Sequence, residues 1–201
     1  MGHVQDLMLD LHLGHLPVVA EGKLIGLISE EHLFNAPDQN TPLFQLKHEF
    51  SKIAVHGNTH FLEAVQFVND FSLTMIPVVD DKADYIGSIS ATDLLKYLGM
   101  ITGAKDPGAV IVLEMERVGF SFSEISKLVE TNDALITQLN TYSDGQSPAF
   151  YVTLKINRLE ISDIIATFQR YEYKVKYYFG DELYENELRS NYNHLMNYLN
   201  I

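Results

Sequence analysis

An internal repeat constrains this chain more than any other feature, because two copies of one short pattern are expected to fold alike. Residues 15–33 read His-Leu-Pro-Val-Val-Ala-Glu-Gly-Lys-Leu-Ile-Gly-Leu-Ile-Ser-Glu-Glu-His-Leu, and residues 75–94 read Met-Ile-Pro-Val-Val-Asp-Asp-Lys-Ala-Asp-Tyr-Ile-Gly-Ser-Ile-Ser-Ala-Thr-Asp-Leu. Pro17 matches Pro77 at an offset of 60, while Gly26, Ser29 and Leu33 match Gly87, Ser90 and Leu94 at 61. The one-residue slip falls in a polar turn, Ala20–Lys23 against Asp80–Asp84, where an insertion costs least. Each copy predicts a short strand (Leu16–Val19, Ile76–Val79), a turn, a second strand (Leu24–Ile28, Tyr85–Ile89) and a helix opening at Ser29 or Ser90. Ahead of the second copy the pattern predicts a leading strand, Lys52–Val55. A helix follows from Asn58 or Thr59 to about Phe71, with Leu62, Val65, Phe67 and Val68 near helical spacing. The matching helix of the first copy begins near residue 1, so the first repeat reads as incomplete at its start.

A repeated β-α-β-β-α unit carrying hydrophobic-Pro-Val-Val and then Gly-x-hydrophobic-Ser-x-x-Asp resembles the cystathionine β-synthase (CBS) motif pair, over residues 1–102. The resemblance implies a regulatory module rather than a catalyst, one that takes adenosine-containing ligands in clefts between the motifs. It also implies that Ser90 and Asp93 contact the ligand, with Asp93 on the ribose hydroxyls and with Ile76, Pro77 and the segment from Lys52 to His56 as walls. In the first copy the corresponding residues are Ser29, Glu31 and His32. His32 stands where the resemblance expects the ribose aspartate, and an imidazole lacks the two acceptor oxygens that grip a vicinal diol. The first site therefore reads as degenerate, or as one that uses Glu31 instead. Ser90-Ala91-Thr92-Asp93 is equally a helix capping box, so capping and ligand contact both remain open from the residues alone.

Charge bears on the ligand. The chain has 14 Lys+Arg against 27 Asp+Glu, a formal net charge of -13. Residues 1–102 hold 13 acids, five lysines and no arginine, the usual bidentate partner of phosphate. Near the expected cleft the cations are Lys52, Lys47 and the histidines His48 and His56. This favours AMP, S-adenosylmethionine or a related adenosine compound over a polyphosphate. The same acidity excludes nucleic acid and anionic membrane as partners.

Gly99–Gly108, with its Asp106-Pro107-Gly108 turn, reads as a linker into a second domain spanning 103–180. The pattern predicts strand Ala109–Glu116, helix Ser123–Glu130 and strand Ala134–Tyr142. After a turn at Ser143-Asp144-Gly145 it predicts strand Phe150–Ile156, helix Ile161–Tyr171 and strand Lys174–Phe179. Ser121-Phe122-Ser123-Glu124 is a capping box for the first of these helices. This β-α-β-β-α-β order is the ferredoxin-like layout. After a CBS pair it looks like an ACT domain, a small module that often binds amino acids at a dimer interface. The loop after the first strand, Glu116-Arg117-Val118-Gly119-Phe120-Ser121, retains only Gly119 of that family's Asp-x-Pro-Gly-like pattern, so self-association is the expected role. Residues 181–201 form a predicted C-terminal helix, with Leu188, Tyr192, Leu195 and Leu199 on one face. The whole arrangement resembles bacterial acetoin-utilisation-type regulatory proteins.

Several chemistries fall away. The absence of cysteine removes disulfides, thiolate nucleophiles and Cys-ligated metals. His12 and His15 share a spacing but find no third ligand, so no metal site is expected. No nucleophile elbow, Walker loop or dinucleotide fingerprint occurs, and no catalytic residue is assigned. No apolar run reaches the roughly 18–20 residues of a membrane span, and the amino terminus lacks a signal-peptide layout. The expectation is an α+β, non-catalytic, cytoplasmic regulatory homodimer with no cofactor. It binds an adenosine-type ligand and acts on an unidentified protein. The alternative is a ligand-free dimerisation scaffold that acts by contact with a partner.

Overall fold

Pro17 and Pro77 lie in equivalent β-hairpins of a computed structural model that describes residues 2–34, 41–143 and 149–180. The chain divides into two units, Met1–Ile101 and Thr102–Ile201. In the first, α1 (Gly2–Leu11), β1 (His15–Ala20), β2 (Lys23–Ser29) and α2 (Glu30–Phe34) make one copy. Then β3 (Val55–His56), α3 (Phe61–Asp70), β4 (Met75–Val79), β5 (Tyr85–Ser90) and α4 (Ala91–Ile101) make the other. In both hairpins the strands are antiparallel, Pro17 facing Leu27 and Pro77 facing Ser88, and both carry a register shift at the same place, Val18/Val19 and Val78/Val79. Pro77 lies in the middle strand of the sheet β3-β4-β5, just outside the Val78–Val79 stretch that β3 pairs in parallel. Its missing N–H is therefore not demanded there.

The leading strand differs from expectation. It begins at Val55 rather than Lys52, because Ser51 is committed elsewhere. The Ser51 and Leu27 backbones exchange two hydrogen bonds, 2.9 and 3.0 Å, so this segment is stitched first to β2 and only then to β4. Gly26 makes that approach possible. A Cβ on Gly26 would lie 2.6 Å from the Phe50 Cβ and 2.8 Å from the Ser51 carbonyl oxygen. Its repeat partner Gly87 has nothing within 4 Å. Among the described residues, the β1-β2 sheet has no counterpart of β3. Helix α3 also starts later than expected. The Thr59 hydroxyl donates to the His56 carbonyl (2.8 Å), and the extended His60 caps the helix, its Nδ1 accepting from the Leu62 amide at 3.3 Å.

Two clusters fill this unit. Met8, Leu16, Ile28, Leu33, Leu46 and Phe50 form one, and Leu27, Val55, Ala64, Leu73, Ile76 and Leu94 the other. Adjacent residues Leu27 and Ile28 point to opposite faces of β2 and so enter different clusters. The hairpin tips are tied as well, with the Tyr85 amide donating to the Gly22 carbonyl (2.8 Å) and Lys23 pairing with Asp84 (2.8 Å).

The second unit runs β6 (Ala109–Met115), α5 (Phe122–Glu130), β7 (Ile136–Ser143), β8 (Phe150–Ile156), α6 (Ser162–Arg170) and β9 (Lys174–Phe179). Its sheet has the order β7-β8-β6-β9 with every neighbour antiparallel, the element order of ferredoxin-like folds. Alternate residues Ala109, Ile111 and Leu113 of β6, with Val152, Leu154 and Ile156 of β8, pack into one core with Ile125, Val129, Ile164 and Phe168 of the helices. The Ser121 hydroxyl accepts from the Glu124 amide (3.4 Å), so α5 begins one residue earlier than expected. β7 begins two residues later than expected. Ala134 turns into the core, and the Leu135 amide is taken by the Asn157 side chain at 2.9 Å. At the unit's start Gly108 has φ +144°, and a Cβ there would lie 2.0 Å from the Ile156 carbonyl oxygen. No helix of the described residues is long and apolar enough to cross a membrane. The turn from residue 144 and the predicted helix over 181–201 lie outside the described residues.

Candidate functional site

The second repeat sets its polar pair where β5 hands over to α4. The strand ends at Ser90, whose hydroxyl oxygen accepts from the Asp93 amide at 3.0 Å, closing the first turn of the helix. That hydroxyl donates in turn to Asp93 Oδ2 at 2.7 Å. Lys96, one turn along, places Nζ 3.1 Å from the other carboxylate oxygen, Oδ1. The Ser90 hydrogen bond first, and Lys96 second, hold the Asp93 carboxyl below its ordinary range. The pair lies open to water, Asp93 and Lys96 being 60% and 72% exposed, so the ion pair itself contributes little to stability. Sequence reasoning passed over Lys96, although its i+3 spacing from Asp93 was the signal.

Sheet register decides which expected residues share that end of the hairpin. Ser90 faces Met75, Ile89 faces Ile76, and Ser88 faces Pro77. On the other edge Val55 faces Val78 and His56 faces Val79. Lys52 precedes Val55 by three residues, as Met75 precedes Val78, so Lys52 lies toward the Ser90 end. Its Nζ donates to the Ile25 carbonyl of the first repeat. His56 belongs to the opposite end, four strand residues or about 13 Å away. Ile76 is wholly buried in one cluster with Leu27 and Leu94, and Pro77 is also buried.

The first repeat builds the same cap with different chemistry. The Ser29 hydroxyl oxygen accepts from the His32 amide at 3.3 Å, Glu31 is exposed, and His32 Nδ1 is buried without a hydrogen-bond partner. Nearby, His15 Nδ1 accepts from the Thr74 amide (3.3 Å) and lies 3.2 Å from the Thr74 hydroxyl. Burial, and secondarily His32, push the His15 imidazole below its ordinary value. Where the second repeat offers a carboxylate to solvent, the first thus turns an imidazole inward. The His15–Thr74 contact across the repeats was not foreseen, since 59 residues separate its partners.

No group of three metal-capable side chains occurs among the described residues. An open cavity of ≈ 330 Å³ lies between α3 and α4, lined by Val65, Val68, Leu94 and Leu95 with Asn69 and Ser72, and none of the expected site residues lines it.

Two hairpin-and-helix copies at an offset of 60, with the Ser-x-x-Asp cap on the second, coincide with a family match: the CBS domain matches residues 1–38 and 48–100. These residues form a CBS domain pair. CBS pairs are regulatory modules, generally non-catalytic. Three solved structures are similar to half of the chain or less. A CBS domain pair/ACT domain protein from Thermotoga maritima is 21% identical, with a TM-score of 0.40, covering 45% of this chain and 74% of its own. The CBS domain pair of protein MJ0100, in complex with 5′-methylthioadenosine and S-adenosyl-L-methionine, is 23% identical (TM-score 0.38; 49% of this chain, 81% of its own). CBSX2 in complex with AMP is 18% identical (TM-score 0.40; 50% and 82%).

Proposed function

We propose that this chain is a non-catalytic regulatory protein whose CBS pair binds an adenosine-containing small molecule at the junction of β5 and α4. One observation carries the reading: a solvent-open hydroxyl–carboxylate pair, Ser90 and Asp93, at the place where resemblance to the family expects a ribose contact. Two vicinal hydroxyls need two acceptor oxygens, and the Asp93 carboxylate has them once Ser90 and Lys96 rotate aside. The first-repeat residues Ser29, Glu31 and His32 present no such pair and take no ligand. Lys96 pairs with Asp93 while Lys52 is bonded to the Ile25 carbonyl, and this small cationic complement suits AMP, S-adenosylmethionine or a related compound.

On this reading residues 103–180 are an ACT-like domain that carries the response into the geometry of a cytoplasmic homodimer, and the whole is of the acetoin-utilisation type. The ligand shifts that geometry by no more than its differential affinity for the two arrangements. A second reading has its own support. Both Asp93 oxygens already have partners within the chain, as a ligand-free scaffold acting through protein contact requires.

Asp93→Asn separates the two, because the cap runs through the Asp93 backbone amide and survives the change. Titration calorimetry with AMP, adenosine and S-adenosylmethionine should show binding by the native chain. Affinity should fall roughly 10- to 100-fold in the variant, the loss of hydrogen bonds to a charged group. The melting temperature should not move. Binding by none of the three favours the scaffold, and equal binding by the variant removes Asp93 from the site.

A further inference from the structure

The two repeats build the same joint ahead of their closing helices, and a histidine straps one joint to the other repeat. Gly14 and Thr74 occupy equivalent positions, at the repeat offset of 60. The Gly14 carbonyl accepts the amide of Glu30, the first residue of α2, at 2.8 Å. The Thr74 carbonyl accepts the amide of Ala91, the first residue of α4, at 2.9 Å. These joints lie against each other, since a Cβ on Gly14 would meet Thr74 Cγ2 at 3.6 Å. Met75 is the repeat partner of His15, and its thioether is only a weak acceptor. The strong strap therefore runs one way, from the first repeat into the one that carries Ser90 and Asp93.

Thr74 is engaged at each of its polar groups. Its N–H donates to His15 Nδ1 at 3.3 Å, its carbonyl holds Ala91, and its hydroxyl lies 3.2 Å from the same Nδ1. As a neutral ring, His15 takes the amide proton. With a proton on Nδ1 it can no longer accept, and the Thr74 hydroxyl oxygen is then the acceptor within its reach. The Thr74 amide loses its partner in a part-buried place, so Thr74 moves to regain one. The carbonyl that seats Ala91 belongs to the same residue and moves with it.

We propose that His15 is a positioning residue for the start of α4: neutral, it holds Thr74 where Ala91 is seated, and protonated, it releases that end of the helix. The inference rests on the reading of Ser90 and Asp93 as the ligand site, and it makes affinity there weaker in acid. Burial first, and His32 second, place the change below the ordinary imidazole value of 6.5. On the elements packed around His15 the titratable groups are His32, Glu30 and Glu31 of α2, Asp93 and Lys96 of α4, and His12 and Asp70 at the ends of α1 and α3. Asp93 and Lys96 pair with each other, the remaining four besides His32 are exposed, and His32 is the charge that acts on His15.

The full chain, titrated by nuclear magnetic resonance from pH 7.5 to 5, tests the relay without ligand. The His15 ring should titrate in this range. Protection of the Ala91 amide against hydrogen exchange, corrected for its intrinsic pH dependence, should fall about fivefold with the same midpoint. His15→Gln keeps a carbonyl acceptor, and its Ala91 protection should not respond to pH. His32→Gln should keep the response, with the midpoint moved to higher pH. Flat Ala91 protection while His15 titrates would overturn the proposal. So would a ring that stays neutral down to pH 5, or a response kept in His15→Gln and lost in His32→Gln. Adenosine lacks the phosphate that titrates in AMP, so its affinity reports the protein alone. It should bind about fivefold more weakly at pH 5.5 than at pH 7.5, with no such difference in His15→Gln. Equal affinity at both values would overturn the proposal. Binding at neither, with the Ala91 response present, would remove the ligand reading and leave His15 as the residue that positions α4.

Discussion

His15 ties the repeats together through one acceptor atom. Its Nδ1 takes the Thr74 amide, so that nitrogen must carry a lone pair, and burial followed by His32 lowers its pKa from 6.5. The unfolded chain therefore binds this proton more readily than the folded one. The resulting stability is complete above about pH 6.5 and is lost as pH falls below that value toward the folded pKa. Urea midpoints measured between pH 7.5 and 6.0 should fall for the native chain and fall less for His15→Gln, which keeps a carbonyl acceptor but cannot be protonated. Equal slopes would show that His15 carries none of the pH dependence. The contact was invisible in the sequence because it joins residues 59 apart, whereas the Ser90–Asp93 pair was visible because three residues of helix geometry sufficed to bring it together.

Gly26 and Gly87 show the limit of the repeat at the level of elements. The sequence pairs them, and both lie in the second strand of their hairpins. What differs is the neighbour. Ser51 pairs with β2, while among the described residues no segment holds the equivalent position beside β5. Gly26→Ala should destabilise the chain by about 2–4 kcal/mol, since its Cβ meets Phe50 and the Ser51 backbone. Gly87→Ala should leave stability unchanged or raise it by up to about 1 kcal/mol, because its space is open and alanine loses less entropy. Denaturant unfolding of the two variants tests the contrast directly. Strands Phe150–Ile156 and Lys174–Phe179 were readable to the residue, since alternation over six or seven positions leaves one register. The leading strand at 52–55 was misplaced, because its pairing partner is set by the other repeat.

Over the whole molecule the proposed regulation is a linkage between ligand and assembly. If the CBS pair's ligand favours one arrangement of a homodimer, it must shift the dimer dissociation constant by the factor by which dimerisation shifts ligand affinity. Sedimentation at several chain concentrations, with and without saturating AMP or S-adenosylmethionine, should show that shift. Binding without it would confine the ligand's effect to the monomer. The sequence by itself determined the repeat, the α+β character, the two-part division of its pattern and the hydroxyl–carboxylate pair at the start of α4. These rest on local spacing and on the periods of helix and strand. Tertiary structure alone decided that Ile76 and Pro77 are buried, that His56 stands at the far end of its sheet from Ser90, and that His15 meets Thr74. Those outcomes depend on strand register and on which segments meet across 20 to 60 residues of chain, and no local pattern carries that information.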